Sequence, residues 1–199
     1  KMKSIKKRLV VNFLFIIIVT VVILEVFLIG LVRQNYYKNL EDNLLNQIKV
    51  SSDLYFRYFS DATLHENVLN NVDTFWKQVS VQVEIIDTDG NILMDSIGVI
   101  PQEASPMEDV QKALEGQKGK WIGHVGYDSE KVMAIAYPLK SGDEIVGVLR
   151  FIASLREINR DIRRIAVVFI GFGGLVIAIS SFFSLFLADS IVRPLQAVT

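Results

Sequence analysis

Asp87-Thr88-Asp89-Gly90-Asn91-Ile92-Leu93-Met94-Asp95-Ser96, DTDGNILMDS, reads either as an acidic metal loop or as a turn between two strands, and the fold of the middle of the chain follows from the choice. A calcium loop of the EF type needs glycine at its sixth position and glutamate at its twelfth. Counted from Asp87, glycine stands fourth and the apolar run Ile92-Leu93-Met94 follows. Asp89-Gly90 instead separates Ile85-Ile86 from Ile92-Leu93, which is a hairpin signal because glycine readily supplies the positive φ that such turns require. The stretch is a turn, and it sets strands on both sides.

Working outward, β-type runs rich in Val, Ile and aromatics occupy 81–87, 91–95, 120–127, 131–138 and 145–153. Between the second and third lies Ser105-Pro106-Met107-Glu108, a capping box with proline at the first helical position, followed by Val110, Ala113, Leu114 and a terminating Gly116. Upstream the period changes. Tyr37, Leu40, Leu44, Ile48, Ser51 and Tyr55 recur at steps of three and four, predicting a stalk helix over 33–59. Leu64, Val68, Val72, Phe75 and Val79 mark a second helix behind an Asp61 cap. The order helix, helix, two strands, helix, three strands predicts an α+β module, a five-stranded mixed sheet with the long N-terminal helix on one face.

The flanks are of another kind. With 51% hydrophobic residues in 199 and a net charge of −1, the chain is too apolar for one ordinary soluble domain. Residues 9–32 reach roughly 36 Å as a helix, beyond a hydrocarbon core of about 30 Å, and 165–187 contain no ionisable residue and span on the same arithmetic. The first run is longer than a signal-peptide core of about 7–15 residues and lacks a small-x-small cleavage site, so it reads as an anchor. Glu25 lies within it, a cost of up to about 3 kcal/mol that the surrounding Leu, Ile, Val and Phe outweigh. Gly171, Gly174 and Ala178 offer small-residue spacing in the second span. Lys1, Lys3, Lys6, Lys7 and Arg8 place the N-terminus on the cytoplasmic side by the positive-inside rule. The expected organisation is a cytoplasmic N-terminus (1–8), a first span (9–32), an extracytoplasmic domain (33–164), a second span (165–187) and a cytoplasmic segment (188–199). The chain is then a two-pass plasma-membrane protein with both termini inside.

Catalytic motifs are missing. His65-Glu66 begins like a zinc-protease helix, but position 69 is leucine where a second histidine is needed. With two histidines, no cysteine, no phosphate-cradling glycine loop and no nucleophile elbow, no catalytic or metal residue is expected within 1–199.

The segment 83–96, the helix 110–116, Met133-Ala134-Ile135-Ala136-Tyr137-Pro138-Leu139 and Val146-Gly147-Val148-Leu149-Arg150 resemble the extracytoplasmic PAS-like or single-Cache sensor of bacterial receptors, most of all that of phosphate-regulon and cell-wall sensor histidine kinases. Ser190-Ile191-Val192-Arg193-Pro194-Leu195-Gln196-Ala197-Val198 resembles the opening of a HAMP linker. Proline fixes φ and suits a helix's first turn, so a new helix is expected to begin near Pro194. The resemblance implies the sensing and membrane portion of a homodimeric two-component kinase. It also implies ATP and magnesium in a kinase domain that 1–199 lacks, a cytoplasmic response regulator as partner, contact with membrane lipid, and no nucleic acid. A methyl-accepting chemotaxis receptor and a cyclic-dinucleotide enzyme use the same input architecture.

The resemblance also directs attention to the third, fourth and fifth strands for a small extracellular ligand. Trp121, His124, Tyr127, Tyr137 and Arg150 are the polar and aromatic candidates there. Alternation puts Trp121 and Tyr127 on one face and His124 on the other, unless Gly123 or Gly126 forms a bulge. Arg150 lies among Val146, Val148 and Ile152 and needs an acidic partner or an anionic ligand. Glu84, with Gln82 and Ile86 as face neighbours, is the expected internal partner. For signal coupling, Leu155, Ile158, Ile162 and Ile165 predict a helix running into the second span and packing against residues 37–44 as a dimer seam, the alternative being core packing within one subunit, with Arg193, Pro194 and Leu195 as the joint beyond it.

Overall fold

The computed structural model describes residues 2–59, 61–76, 80–98 and 108–196, with side chains except at 2–4, 6, 71–76, 189 and 191–196. In chain order the elements are α1 (Met2–Tyr58), α2 (Leu64–Trp76), β1 (Gln82–Ile86), β2 (Ile92–Asp95), α3 (Glu108–Leu114), β3 (Gly119–His124), β4 (Lys131–Ser141), β5 (Glu144–Ser154) and α4 (Arg156–Gln196). The strands form one sheet in the order β2-β1-β5-β4-β3. Every neighbouring pair is antiparallel, so the sheet is not mixed. Short links join β1 to β2, β3 to β4 and β4 to β5, and links of that length permit only antiparallel neighbours.

Residues 37–158 make one compact unit. Its core lies between the sheet and the helices on one face, where Leu44, Ile48 and Tyr55 of α1 and Leu64 and Val68 of α2 meet Val83, Ile85, Met133, Ile135, Leu149 and Phe151. Each such side chain contributes about 1.5–3 kcal/mol by leaving water. Gly147 lets α2 come this close, because a Cβ there would stand 2.5 Å from Leu64 Cδ2 and 2.6 Å from the Ile86 carbonyl oxygen. Two polar ties add direction. Ser52 Oγ of α1 donates to the Pro138 carbonyl at 2.8 Å, and Asn67 Nδ2 donates to the Phe59 carbonyl at 2.7 Å, closing the α1–α2 corner.

Local chemistry explains the boundaries. Asp87 organises the opening turn as an acceptor, taking hydrogen bonds from the Asp89 amide at 2.9 Å and the Asn91 amide at 2.8 Å, while Gly90 adopts φ +89°. The turn reading of that stretch stands. Helix α2 is capped by Thr63 and not by Asp61: the Glu66 amide donates to Thr63 Oγ1 at 3.3 Å and the Thr63 amide donates back to Glu66 Oε2 at 3.2 Å. This reciprocal pair satisfies two amides at once, which a lone aspartate does not. The expected Ser105-Pro106-Met107 entry to α3 lies outside the described residues, as does Val79. Helix α3 ends as expected at Gly116 (φ +86°), with the Gln117 amide on the Lys112 carbonyl and the Gly116 amide on the Ala113 carbonyl. Strand β4 runs past Pro138 because β3 pairs only as far as Ala136, so the missing amide interrupts no ladder bond.

Residues 1–36 and 159–199 form a second compact unit of two helical stretches, and α1 and α4 are each long and apolar enough to cross a membrane. Phe13, Phe15, Ile23, Val26 and Phe27 on α1, and Val167, Phe172, Phe182 and Phe186 on α4, face outward, as a lipid-facing surface requires. Glu25 seats its carboxyl against Gly173: a Cβ at residue 173 would fall 1.8 Å from Glu25 Oε1. Gly171, Gly174 and Ala178 are exposed, so the close approach inside this unit belongs to Gly173 and not to that expected trio. The joint expected at Pro194 is not seen, since α4 continues unbroken to Gln196.

Candidate functional site

On the sheet face away from α1 and α2, the pairing brings Glu84 of β1 opposite Arg150 of β5, and Ala136 of β4 opposite Arg150 on its other side. The small alanine leaves the guanidinium room to lie flat. Three groups hold it. Arg150 Nε donates to Asp109 Oδ2 at 2.7 Å, Nη2 to Asp109 Oδ1 at 3.2 Å, and Nη1 to Glu84 Oε2 at 3.1 Å. The indole of Trp121 covers it, with the guanidinium carbon 5.7 Å from the ring centroid. Arg150 and Glu84 are each 2% exposed and Asp109 is fully buried.

Two glycines make the arrangement possible. A Cβ at Gly119 would stand 1.9 Å from the Asp109 carbonyl oxygen, so only glycine lets α3 bring Asp109 against the sheet. A Cβ at Gly123 would stand 2.2 Å from the Trp121 ring, which folds over it. Electrostatically, burial pushes the Glu84 carboxyl above its ordinary range, and Arg150 offsets only part of this. Burial alone would weaken the proton on Arg150, but Asp109 and then Glu84 outweigh it and hold the cation more firmly. With both carboxylates ionised, the trio carries one net negative charge.

A more open margin adjoins it. Tyr127 Oη donates to Gln82 Oε1 at 2.6 Å, and Gln82 Nε2 donates to Asp95 at 3.1 and 3.2 Å. Burial raises the Tyr127 phenol, with Gln82 opposing. Asp95 pairs with Glu84 across β1–β2, so a third carboxylate stands on the same face. The face has an acidic surplus, with an aromatic wall at Trp121 and Tyr127.

Of the residues singled out from the sequence, Trp121, Tyr127 and Arg150 are brought to this face. Tyr137 pairs with Leu149 and packs with the apolar core on the opposite face. His124 is exposed at the end of β3 and His65 is exposed on α2. The Glu84–Arg150 pair is present as expected from strand parity. Asp109, its stronger partner, carries no signal in the pattern of α3, where it reads as a first-turn acid; only its fork onto Arg150 reveals it. Among the described residues no cluster suits a metal ion. Leu155 is fully buried, and Ile158 packs with it against Tyr37, Leu40 and Leu44 of the same chain. Leu155 thus belongs to the core of one chain, while Ile158 is half-buried at its edge. Ile162 is buried, and the side chains of Arg193, Pro194 and Leu195 lie outside the described residues.

No family model matches the chain, and no curated protein matches it in sequence. Solved structures do. The ligand-binding domain of the Campylobacter jejuni chemoreceptor Tlp3 in complex with L-norvaline aligns at TM-score 0.55 with 14% identity, covering 73% of this chain and 63% of that one. The same domain in complex with 4-methylisoleucine aligns at TM-score 0.51 with 14% identity, covering 71% and 61%. The chain thus spans about three fifths of those domains. At this identity the likeness establishes the fold alone: an α+β sensor-domain fold with a five-stranded sheet and a long N-terminal helix, carried between two helices able to span a membrane.

Proposed function

We propose that this chain is the sensing and transmembrane portion of a bacterial receptor that reports an extracellular small molecule to a cytoplasmic output. One observation carries the reading: β5, which bears Arg150, ends at Ser154, and after the single buried residue Leu155 the helix α4 begins and runs on through the apolar stretch. Leu155 is anchored at both levels, by its side chain in the core and by its amide on the Lys131 carbonyl at 2.9 Å. A shift of β5 has no slack in which to dissipate before α4. A ligand drives such a shift only by differential affinity for two states.

The acidic surplus and the aromatic wall favour a ligand with a positively charged amine and an apolar body. The Tlp3 domains held norvaline and 4-methylisoleucine, which have both. The output favoured by the Arg193-Pro194-Leu195 resemblance is a histidine kinase in a homodimer, with a response regulator as partner; a chemoreceptor is the second reading, favoured by the shared fold. The full-length protein separates them by whether it takes phosphate from ATP onto histidine.

The ligand reading is tested by thermal unfolding of the chain in nanodiscs with valine, isoleucine and norvaline, with their N-acetyl forms, and with a panel of anionic metabolites. Free amino acids are expected to stabilise the wild type, the N-acetyl forms are not, and Asp95→Asn is expected to remove the effect. Stabilisation by anions and not by amines contradicts it. For topology, cysteine placed at Ser129 in intact cells is expected to react with a membrane-impermeant thiol reagent while one at Ser4 does not; the reverse pattern rejects the orientation.

A further inference from the structure

The membrane-spanning unit contains a cavity of about 380 Å³, lined by Val10, Phe13 and Ile17 of α1 and by Phe183, Ser184 and Ala188 of α4, among others. That volume lies within the range of small-molecule sites, and α1 alone extends along it for about 12 Å, from Leu9 to Ile17 at 1.5 Å per residue. Its wall is apolar except for serine. Ser184 lines the cavity, is only 7% exposed, and its hydroxyl has no hydrogen-bond partner. Ser181, one turn earlier on α4, donates its hydroxyl to the Ile177 carbonyl at 2.7 Å; Ser184 makes no such back-bond. An unpartnered hydroxyl in a low-dielectric site is costly, so an occupant supplying an acceptor is favoured.

The mouth of the cavity adds charge. Lys7 is exposed and stands three residues before Val10, so the two share a helix face, and Arg8 is exposed beside it. Lys1, Lys3, Lys6, Lys7 and Arg8 precede the span, whereas the sequence beside Ala188 supplies the single acid Asp189, balanced by Arg193.

We propose that this cavity binds an anionic phospholipid from the leaflet on the N-terminal side. One acyl chain lies along Val10, Phe13, Ile17 and Phe183, an ester carbonyl accepts from Ser184 Oγ, and the phosphate meets Lys7 and Arg8. A zwitterionic lipid satisfies the first two contacts and not the third. A single chain of lipid fills an elongated apolar slot that water does not, and the basic end selects the headgroup.

The test uses the chain extracted in mild detergent from bilayers holding equal phosphatidylglycerol and phosphatidylcholine, read by native mass spectrometry. Wild type is expected to retain phosphatidylglycerol preferentially. Ser184→Ala, which alters no packing volume of consequence, is expected to weaken retention of both lipids by about fivefold, one hydrogen bond's worth. Lys7→Gln with Arg8→Gln is expected to abolish the preference, about fivefold per charge, while leaving the acyl contact. Ala188→Leu, which fills the slot, is expected to remove both, with helix content by circular dichroism unchanged. Equal retention of the two lipids by wild type overturns the proposal. So does unchanged retention in both Ser184→Ala and Ala188→Leu, which marks annular lipid, or efficient disulfide formation between subunits through Phe183→Cys, which marks a second copy in the slot.

Discussion

The two faces of the sheet are built on the same strands and both bury apolar side chains, but only one also encloses charge. Toward α1 and α2, Val83, Ile85, Met133, Ile135, Leu149 and Phe151 make a continuous apolar layer. One residue along, on the other face, Glu84 and Arg150 are as deeply buried, yet they are charged, and Asp109 arrives from α3 to complete them. The apolar face tolerates changes of shape at graded cost, since each contact is small and non-directional. The buried trio is less forgiving: losing Arg150 leaves Glu84 and Asp109 without their cation.

The largest expected effect on the apolar side is Phe151→Ala, which removes a buried ring and leaves a cavity at a cost of about 3–5 kcal/mol in denaturant unfolding. Ligand-dependent stabilisation is expected to survive in the fraction that folds. On the polar side, Arg150→Met is expected to cost about 3 kcal/mol, because it leaves Glu84 and Asp109 buried without their cation, and Glu84→Gln with Asp109→Asn in the same chain is expected to restore most of it. If the paired amides fail to rescue, the buried trio does not behave as a closed charge network and the contrast between faces weakens.

Two acids sharpen the contrast through pH. Glu84 is raised in the folded state, mainly by burial, so its contribution is fully present below the unfolded pKa and is lost as pH rises through the folded one. Wild type is expected to lose stability relative to Glu84→Gln between pH 4 and neutrality, by about 1 kcal/mol. Glu41 of α1 goes the other way. Its slight burial acts upward, but hydrogen bonds from Lys118, 2.6 Å away, and from Lys120 outweigh it and hold the carboxyl low. Its contribution is present above the unfolded pKa and is lost as pH falls through the folded one. Being near the surface, Glu41→Gln is expected to cost only about 0.5 kcal/mol at neutral pH, less at high salt.

How much of this was legible differs by face. Runs rich in Val, Ile and aromatics between turn residues located all five strands to within a few residues, although β1, β4 and β5 are buried on both faces and alternate little. The Glu84–Arg150 pair followed from strand parity. Asp109 did not, since its role depends on how closely α3 approaches β3, which Gly119 decides and no local pattern records. Thr63-Leu64-His65-Glu66 carried its capping box in plain view, two residues after the more acidic Asp61. The steps of Leu155 and Ile158 read identically for a seam between subunits and for packing on α1 of the same chain, and period alone does not separate the two.

The central claim is that Arg150 is held by this chain's own carboxylates, so that the candidate face carries negative and not positive charge. A double-mutant cycle on Asp109→Asn and Arg150→Gln, read by denaturant unfolding of the intact chain in nanodiscs, tests it most directly. The account predicts strong non-additivity, with a coupling of about 2–3 kcal/mol and no stabilisation of wild type by anions. Additive costs, together with anion-dependent stabilisation that Arg150→Gln abolishes, would contradict it.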